Sequence, residues 1–276
     1  MRTLILLFIL LSGLVWEQST PAFEVVSIKL AKSEASATGN FGCTGGPHSS
    51  DPGRITCNST PIGALIAMAY GIAGNRLAGL KPPYPRFDII AKVPDGATWD
   101  DVYEMWRNVL MDRFKLQVHR EKRRMPIYLM VVAKGGVKVK HARDEANTDD
   151  SSALVPQLAR LDRDGFPIAP SGSSVTSFRK NTAYFSASKI TMEQFASDME
   201  SRLSIQQGLN MPVIDGTNLN GKYDFRLMWE VRRDSPDTEF AMFSALEDQL
   251  GLKLSRTDSQ VEILVVDHVD KLPSEN

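Results

Sequence analysis

The feature of this 276-residue chain that most constrains its fold is an internal repeat at a spacing of 136 positions. RFDIIAK at 86–92 matches KYDFRLM at 222–228, and the segment at 110–131 matches the segment at 246–267. The apolar positions agree throughout, and the identical pairs are Asp88/Asp224, Leu110/Leu246, Asp112/Asp248, Leu116/Leu252, Arg120/Arg256 and Ile127/Ile263. A repeat of this length indicates one supersecondary unit that occurs twice.

Each copy carries the signals of two helices and several strands. Helix amino-termini are indicated by Thr60 before Pro61, by Thr98 with Asp101 and by Thr191 with Gln194. A fourth helix is expected from Thr238 to Gln249. Extended segments are expected at 86–93, 211–215 and 222–231. Two closing strands are expected to end each copy, at 114–121 with 126–133 and at 251–256 with 260–268.

These patterns predict an α+β protein of two tandem related modules, each with two helices packed on a small mixed sheet. We place the first module at residues 23–141 and the second at 181–276. Residues 142–180 contain charge runs, Ser/Gly/Pro clusters and few periodic apolar positions, which is typical of a flexible linker.

Residues 1–22 have the form of a secretory signal peptide. Arg2 precedes an apolar run from Leu4 to Trp16, which is shorter than the ~20 residues that a membrane-spanning helix needs. The nearest cleavage site, Thr20 to Ala22, is a poor match, so an uncleaved tether is the alternative and would be the one contact with a membrane. We expect a secreted or periplasmic protein.

Cys43 and Cys57 lie close together in a stretch rich in Gly, Ser and Pro. An oxidising compartment permits a disulfide between them, worth roughly 3 kcal/mol for a loop of this length. The alternative, a zinc site, would have only His48 nearby as a further ligand and falls short of the four that a structural site needs.

Several stretches resemble a known family: RFDIIAKVPDGAT, NVLMDRFKLQVHRE, MPIYLMVVAKGGVKVK, PVIDGTNLNGKYDFRL and SALEDQLGLKL with the closing VEILVVDHVDKLPSEN. They resemble the soil-associated family of exported, acidobacterial-type proteins of unknown function. A related domain of that family is fused behind membrane metallopeptidase sensors, which implies a sensor role beside a membrane protease as one option. Each half also loosely resembles the short amino-terminal domain of secretins and TonB-dependent receptors, an envelope interaction domain.

His119 and Glu121 in RFKLQVHRE are the residue types that acid/base chemistry and metal sites use. Alternation along a strand puts both on the face opposite Leu116 and Val118, while the second copy has neither side chain. An exposed or partner-facing surface is therefore the preferred interpretation, and an extracytoplasmic hydrolase using this pair is the alternative.

The other candidates favour structural roles. Asp267 and His268 are adjacent on a strand, so their side chains should face opposite ways. Asp215 is expected to organise a turn, and Asp88 and Asp224 to bind a backbone amide or a basic side chain. The chain has no nucleophile elbow, phosphate loop, dinucleotide fingerprint or HExxH motif.

The net charge of −1 does not favour nucleic acid as a partner. We therefore expect a non-catalytic binding module of the cell envelope, without cofactor, metal or catalytic residues. Its partner would be an envelope protein, a peptide or a glycan, docked at a sheet edge or in a groove between the modules.

Overall fold

The computed structural model describes residues 20–31, 42–47, 49–142, 160–207, 211–231 and 238–274. Its strands and helices are, in chain order, β1 (Val25–Leu30), β2 (Gly42–Gly45), β3 (Arg54–Pro61), α1 (Ile62–Ala69), β4 (Leu77–Ala78), β5 (Arg86–Lys92), α2 (Trp99–Phe114), β6 (Gln117–Val132), β7 (Lys140–His141), β8 (Ser173–Arg179), β9 (Thr182–Ile190), α3 (Met192–Gln207), β10 (Val213–Asp215), β11 (Tyr223–Glu230), α4 (Thr238–Ala245) and β12 (Leu252–His268). A 3-10 turn, Gly74–Arg76, precedes β4, and a π-helical turn, Leu246–Leu250, follows α4.

The strands of the described chain form three four-stranded sheets. The first outer sheet has the order β1-β5-β3-β2, and the second outer sheet has the order β7-β11-β9-β8. Both are antiparallel. The central sheet has the order β10-β6-β12-β4, in which β6 and β12 are antiparallel and each short edge strand is parallel to its neighbour.

The predicted arrangement of two separate helix-on-sheet modules is wrong, although the broad α+β class fits. The residues expected to close each copy with two strands form one long strand in each case, β6 and β12, and these two strands pair with each other. A local hairpin would need a turn near 122–125, where the sequence has Lys-Arg-Arg-Met and no Gly or Asn. Pairing between the copies instead gives both strands a full-length partner.

The repeat is visible in the strand register of the central sheet. Val213 of β10 pairs with Tyr128 of β6, and Leu77 of β4 pairs with Leu264 of β12. Val213 lies 136 positions after Leu77, and Leu264 lies 136 positions after Tyr128. The two edge pairings are therefore equivalent in the two copies. The copies are therefore intertwined through this sheet.

Asp88 and Asp224 have the same backbone-binding role in the two outer sheets. Oδ1 of Asp88 accepts a hydrogen bond from the amide of Ser59 at 2.8 Å, and Oδ1 of Asp224 accepts one from the amide of Lys189 at 2.8 Å. Ser59 and Lys189 have φ of 44° and 51°, and both lie where the register of the strand pair shifts. The prediction that these carboxylates bind a backbone amide is confirmed.

Three apolar clusters support the sheets. One lies between the first outer sheet and α1 and α2, and a second between the other outer sheet and α3 and α4; both extend onto the central sheet. The third is centred on Ile127, Val261 and Ile263, and it includes Ala78 from β4 and Ile214 from β10. Because side chains from both edge strands meet there, the central sheet curls around this cluster.

A partly buried ion pair joins the two edges of the curled sheet. Arg76, directly before β4, donates from Nε and Nη2 to the carboxylate of Glu200 in α3 at 3.0 and 2.6 Å. The Glu200 side chain is 1% exposed, and its Oε2 also accepts from the amide of Val213 at 3.1 Å. Two copies of the repeat thus meet through a bidentate, largely desolvated contact.

Helix α2 forms where its sequence predicted and positions one wall of the groove described below. Thr98 and Asp101 make the expected reciprocal capping box, with Thr98 Oγ1 accepting from the amide of Asp101 and the carboxylate accepting from the amide of Thr98. The helix ends at Phe114 and is followed by Lys115, whose φ of 51° is left-handed. The capping pair of Thr191 and Gln194 at α3 is likewise present.

The remaining predicted boundaries fall partly outside the described residues. Residues 1–19 of the expected signal peptide and 143–159 of the expected linker lie outside them. Within the linker range, Ser173–Arg179 form β8, which pairs along its whole length with β9. Serine and threonine dominate this strand, so it lacks the alternating apolar pattern that would have indicated it.

Candidate functional site

The predicted pair of His119 and Glu121 lies on β6, with Asp267 of β12 as a third member. Nδ1 of His119 is 2.8 Å from Oδ2 of Asp267, and Nε2 is 3.7 Å from Oε2 of Glu121. Asp267 occupies a register shift between Val266 and His268, which turns it towards His119. Asp267 was considered only beside His268, on a regular strand. Its contact with His119 was not predicted, because the sequence does not indicate the register shift or the pairing of β6 with β12.

The three side chains form an exposed charge cluster on the open surface of the central sheet. They are 49%, 38% and 45% exposed for His119, Glu121 and Asp267, and Arg123 donates from Nε and Nη2 to Glu121. The hydrogen bond to Asp267, aided by the charges of both carboxylates, raises the pKa of His119 above its ordinary value. An imidazole oriented by a carboxylate can transfer protons, but neither of the grooves described below is lined by this cluster.

The cluster has the wrong geometry for a metal ion. Asp267 and Glu121 contact opposite nitrogens of the His119 ring, so one ion cannot reach all three groups. Across the described ranges, no three His, Cys, Asp or Glu side chains are placed to hold a metal. His141 packs against the ring of Tyr223, His268 contacts Asp270 at 3.1 Å, and His48 lies outside the described residues.

The predicted disulfide is confirmed. Cys43 of β2 and Cys57 of β3 lie directly opposite each other in the antiparallel pair and are joined. Asp215 also has its predicted role in a turn, since its Oδ1 accepts from the amide and the hydroxyl of Thr217 at 2.9 and 2.7 Å. These residues stabilise the structure locally.

A groove of about 410 Å³ lies between α2 and the start of β1. Six of the nine residues that line it are apolar, and three polar side chains complete the lining. The lining residues are Ala22, Phe23, Glu24, Val25, Val26, Met105, Asn108, Val109 and Asp112. The groove is partly open to solvent, which suits an extended segment better than a compact small molecule.

Two contacts hold the chain before β1 against α2 and so form one wall of the groove. The ring of Phe23 packs edge-on against Trp106 with centroids 4.8 Å apart, and Nδ2 of Asn108 donates to the carbonyl of Pro21 at 2.8 Å. Met105 is buried in the wall, while Val109 is partly buried. The groove is therefore supported by the core of the first outer sheet.

Strand β1 forms an edge beside this groove. It pairs with β5 on one side, and no described strand pairs with its other side. Val25 and Leu30, at its two ends, are 62% and 53% exposed. An unpaired edge with exposed apolar side chains is a surface to which another strand can add.

A second groove, of about 300 Å³, lies over the second outer sheet. Its charged side chains are engaged within the protein: Arg226 pairs with Asp162 at 2.6 Å, and Asp224 accepts from the Lys189 amide. Sequence analysis indicated neither groove, because both depend on how distant segments pack.

Comparison with known proteins identifies the family. Searches of curated proteins and of solved structures gave no match. Within the described ranges, no helix has the length and apolar character to cross a bilayer. A family model described as "Protein of unknown function (DUF3738)" matches residues 63–269, three quarters of the chain. The likeness to a family of unknown function noted in the sequence is thereby confirmed, and the chain belongs to the DUF3738 family.

Proposed function

We propose that this protein is an exported, non-catalytic binding protein of the cell envelope, and that its ligand is an extended peptide segment of an envelope protein. The segment adds to the free edge of β1 and places side chains in the groove between β1 and α2. The disulfide and the apolar leader-like segment at 4–16 support an extracytoplasmic location.

The observation that carries the proposal is the coincidence of an edge with no partner among the described strands and a groove with an apolar wall. In a strand, amides and carbonyls point alternately to the two sides, so half of those in β1 are directed away from β5. A bound segment would satisfy these groups and cover the exposed side chain of Val25 at the edge. Main-chain hydrogen bonds would supply affinity, and the groove would supply selectivity.

Hydrogen exchange with a peptide probe tests the proposal. The probe is a capped seven-residue peptide, Thr-Gln-Val-Gln-Thr-Gln-Thr, and its matched control carries N-methyl groups on alternate amides. We expect the probe to slow amide exchange at Val25–Leu30 and the methylated peptide to bind far more weakly. Slowed exchange elsewhere, or equal binding of both peptides, would refute strand addition at β1.

A pair of substitutions provides the matched control on the protein. Val25→Lys places a charge at the edge that the segment would cover and should weaken binding about tenfold, because it removes roughly 1.5 kcal/mol of apolar contact. Ile90→Lys changes a residue of similar exposure, 53%, on the interior strand β5, and should leave binding unchanged. Equal effects of the two substitutions would show that added charge, and not the edge, is responsible.

A second candidate function, an extracytoplasmic hydrolase using His119 and Glu121, has one observation in its favour. Asp267 orients the imidazole of His119, as a general base requires. The check is a hydrolysis assay with peptide and ester substrates on the wild type and on His119→Ala. Turnover that disappears with His119→Ala would replace the binding proposal.

A further inference from the structure

We infer that the groove beside β1 selects segments in which an apolar side chain and a basic side chain are two positions apart. This inference rests on the proposed function, and Asp112 is the residue that confers the selectivity. It lines the end of the groove on α2, after the apolar residues Met105 and Val109.

The carboxylate of Asp112 is available to a ligand. The side chain is exposed, and among the described residues the carboxylate makes no hydrogen bond or ion pair. Its neighbours Lys115 and Ser274 contact the backbone carbonyl of Asp112 instead, with Nζ of Lys115 at 2.8 Å. When a ligand binds, its basic side chain would therefore pair with the Asp112 carboxylate and displace the water around it.

The rest of the groove leaves this charge unopposed. No Lys or Arg is among the residues that line it, and the other acidic side chain, Glu24, already binds Lys92 at 2.5 Å. A ligand side chain that reaches Asp112 thus meets one free negative charge next to an apolar wall. Lysine and arginine fit both features, because their stems are apolar and their ends are charged.

The spacing follows from the geometry of a helix and a strand. From the midpoint between Met105 and Val109 to Asp112, α2 rises by about 7.5 Å at ~1.5 Å per residue, within about 1 Å of the strand spacing below. Alternate side chains of an extended segment are ~6.6 Å apart and point to the same face. A segment lying along α2 therefore places an apolar residue against Met105 and Val109 and the residue two positions away beside Asp112.

Fluorescence anisotropy with capped seven-residue peptides tests this. All have Val at the third position in a Thr/Gln background, with Lys, Gln or Glu at the fifth position or with Lys at the fourth. We expect Lys at the fifth position to bind about fivefold more tightly than Gln, as an exposed ion pair allows. Glu there should bind more weakly than Gln, and Lys at the fourth position should equal Gln.

Variants of the full chain identify the residue. Asp112→Asn should abolish the preference for Lys while leaving the Gln peptide unchanged, and Asp112→Lys should reverse it in favour of Glu. Asp258→Asn, at an exposed acid on the central sheet, should retain the preference. Equal affinity for Lys and Gln in the wild type, or a preference that persists in Asp112→Asn, overturns the inference alone. Absence of binding by every peptide overturns the proposed function and this inference with it.

Discussion

Removing the guanidinium of Arg76 tests how strongly the two copies are held together. The perturbation is Arg76→Met, which keeps a long apolar stem but leaves the carboxylate of Glu200 without its bidentate partner. Glu200 would retain one backbone donor, the amide of Val213. The Glu200 side chain is 1% exposed and that of Arg76 is 28% exposed, so water replaces the lost hydrogen bonds only in part.

The magnitude follows from this burial. Breaking a buried ion pair on one side costs about 3–5 kcal/mol, because an uncompensated charge stays in the interior. Total stabilities of domains are about 5–15 kcal/mol, so a loss of this size is a large fraction of the whole. We expect a cost near the lower end of this range, since the Val213 amide still binds Glu200.

Urea denaturation followed by circular dichroism at neutral pH measures the cost. The matched control is Arg120→Met, which breaks an ion pair with Glu262 on the same sheet where both side chains are 52% exposed. This change should cost no more than about 1 kcal/mol. The double variant Arg76→Met/Glu200→Leu should regain much of the stability lost in Arg76→Met, because no charge remains buried. Equal costs for Arg76→Met and Arg120→Met would refute the reasoning.

Three further changes have defined outcomes. Because the pKa of His119 is raised in the folded state, its contribution to stability is complete below the ordinary histidine pKa and is lost as pH rises through the folded value. In an NMR titration, Asp267→Asn should lower that pKa, and an unchanged value would contradict the role of the hydrogen bond. Reducing the disulfide, which closes a separation of 14 residues, should cost about 3 kcal/mol in denaturation experiments, and an unchanged midpoint would oppose this. Asp88→Ala and Asp224→Ala should each cost about 1 kcal/mol, and their effects should add in the double variant because they share no partner.

Local signals in the sequence were reliable at α2, α3 and the Asp215 turn but not at Thr60, which lies in β3 and does not cap α1. The capping box at Thr98 depends on residues three positions apart, and α2 begins where it predicted. In β11 the alternation from Tyr223 to Glu230 gives a strand with one buried and one exposed face, as its pattern indicated. The turn at Asp215 likewise depends on its next two residues.

The errors arise from contacts between distant residues. Repetition showed that the copies are related, but it could not indicate whether β6 closes its own copy or pairs with β12. For the same reason the contact between Asp267 and His119 could not be predicted. The two residues are 148 positions apart, and Asp267 turns towards His119 only through a register shift. The groove and the edge depend on the packing of β1 against β5 and α2. No local pattern in β1 indicates that its other side has no partner among the described strands.

The equivalent edge pairings of the central sheet suggest an origin for the internal repeat. Arg124 and Gln260 pair with each other and are themselves 136 positions apart, so a two-fold axis relating the copies passes between them. A gene encoding a single copy would produce a subunit whose long strand finds an identical partner in a second subunit, across that same axis. The present chain is what fusion of the two subunits of such a symmetric homodimer would produce, and fusion leaves each copy free to acquire side chains, such as His119, that the other lacks.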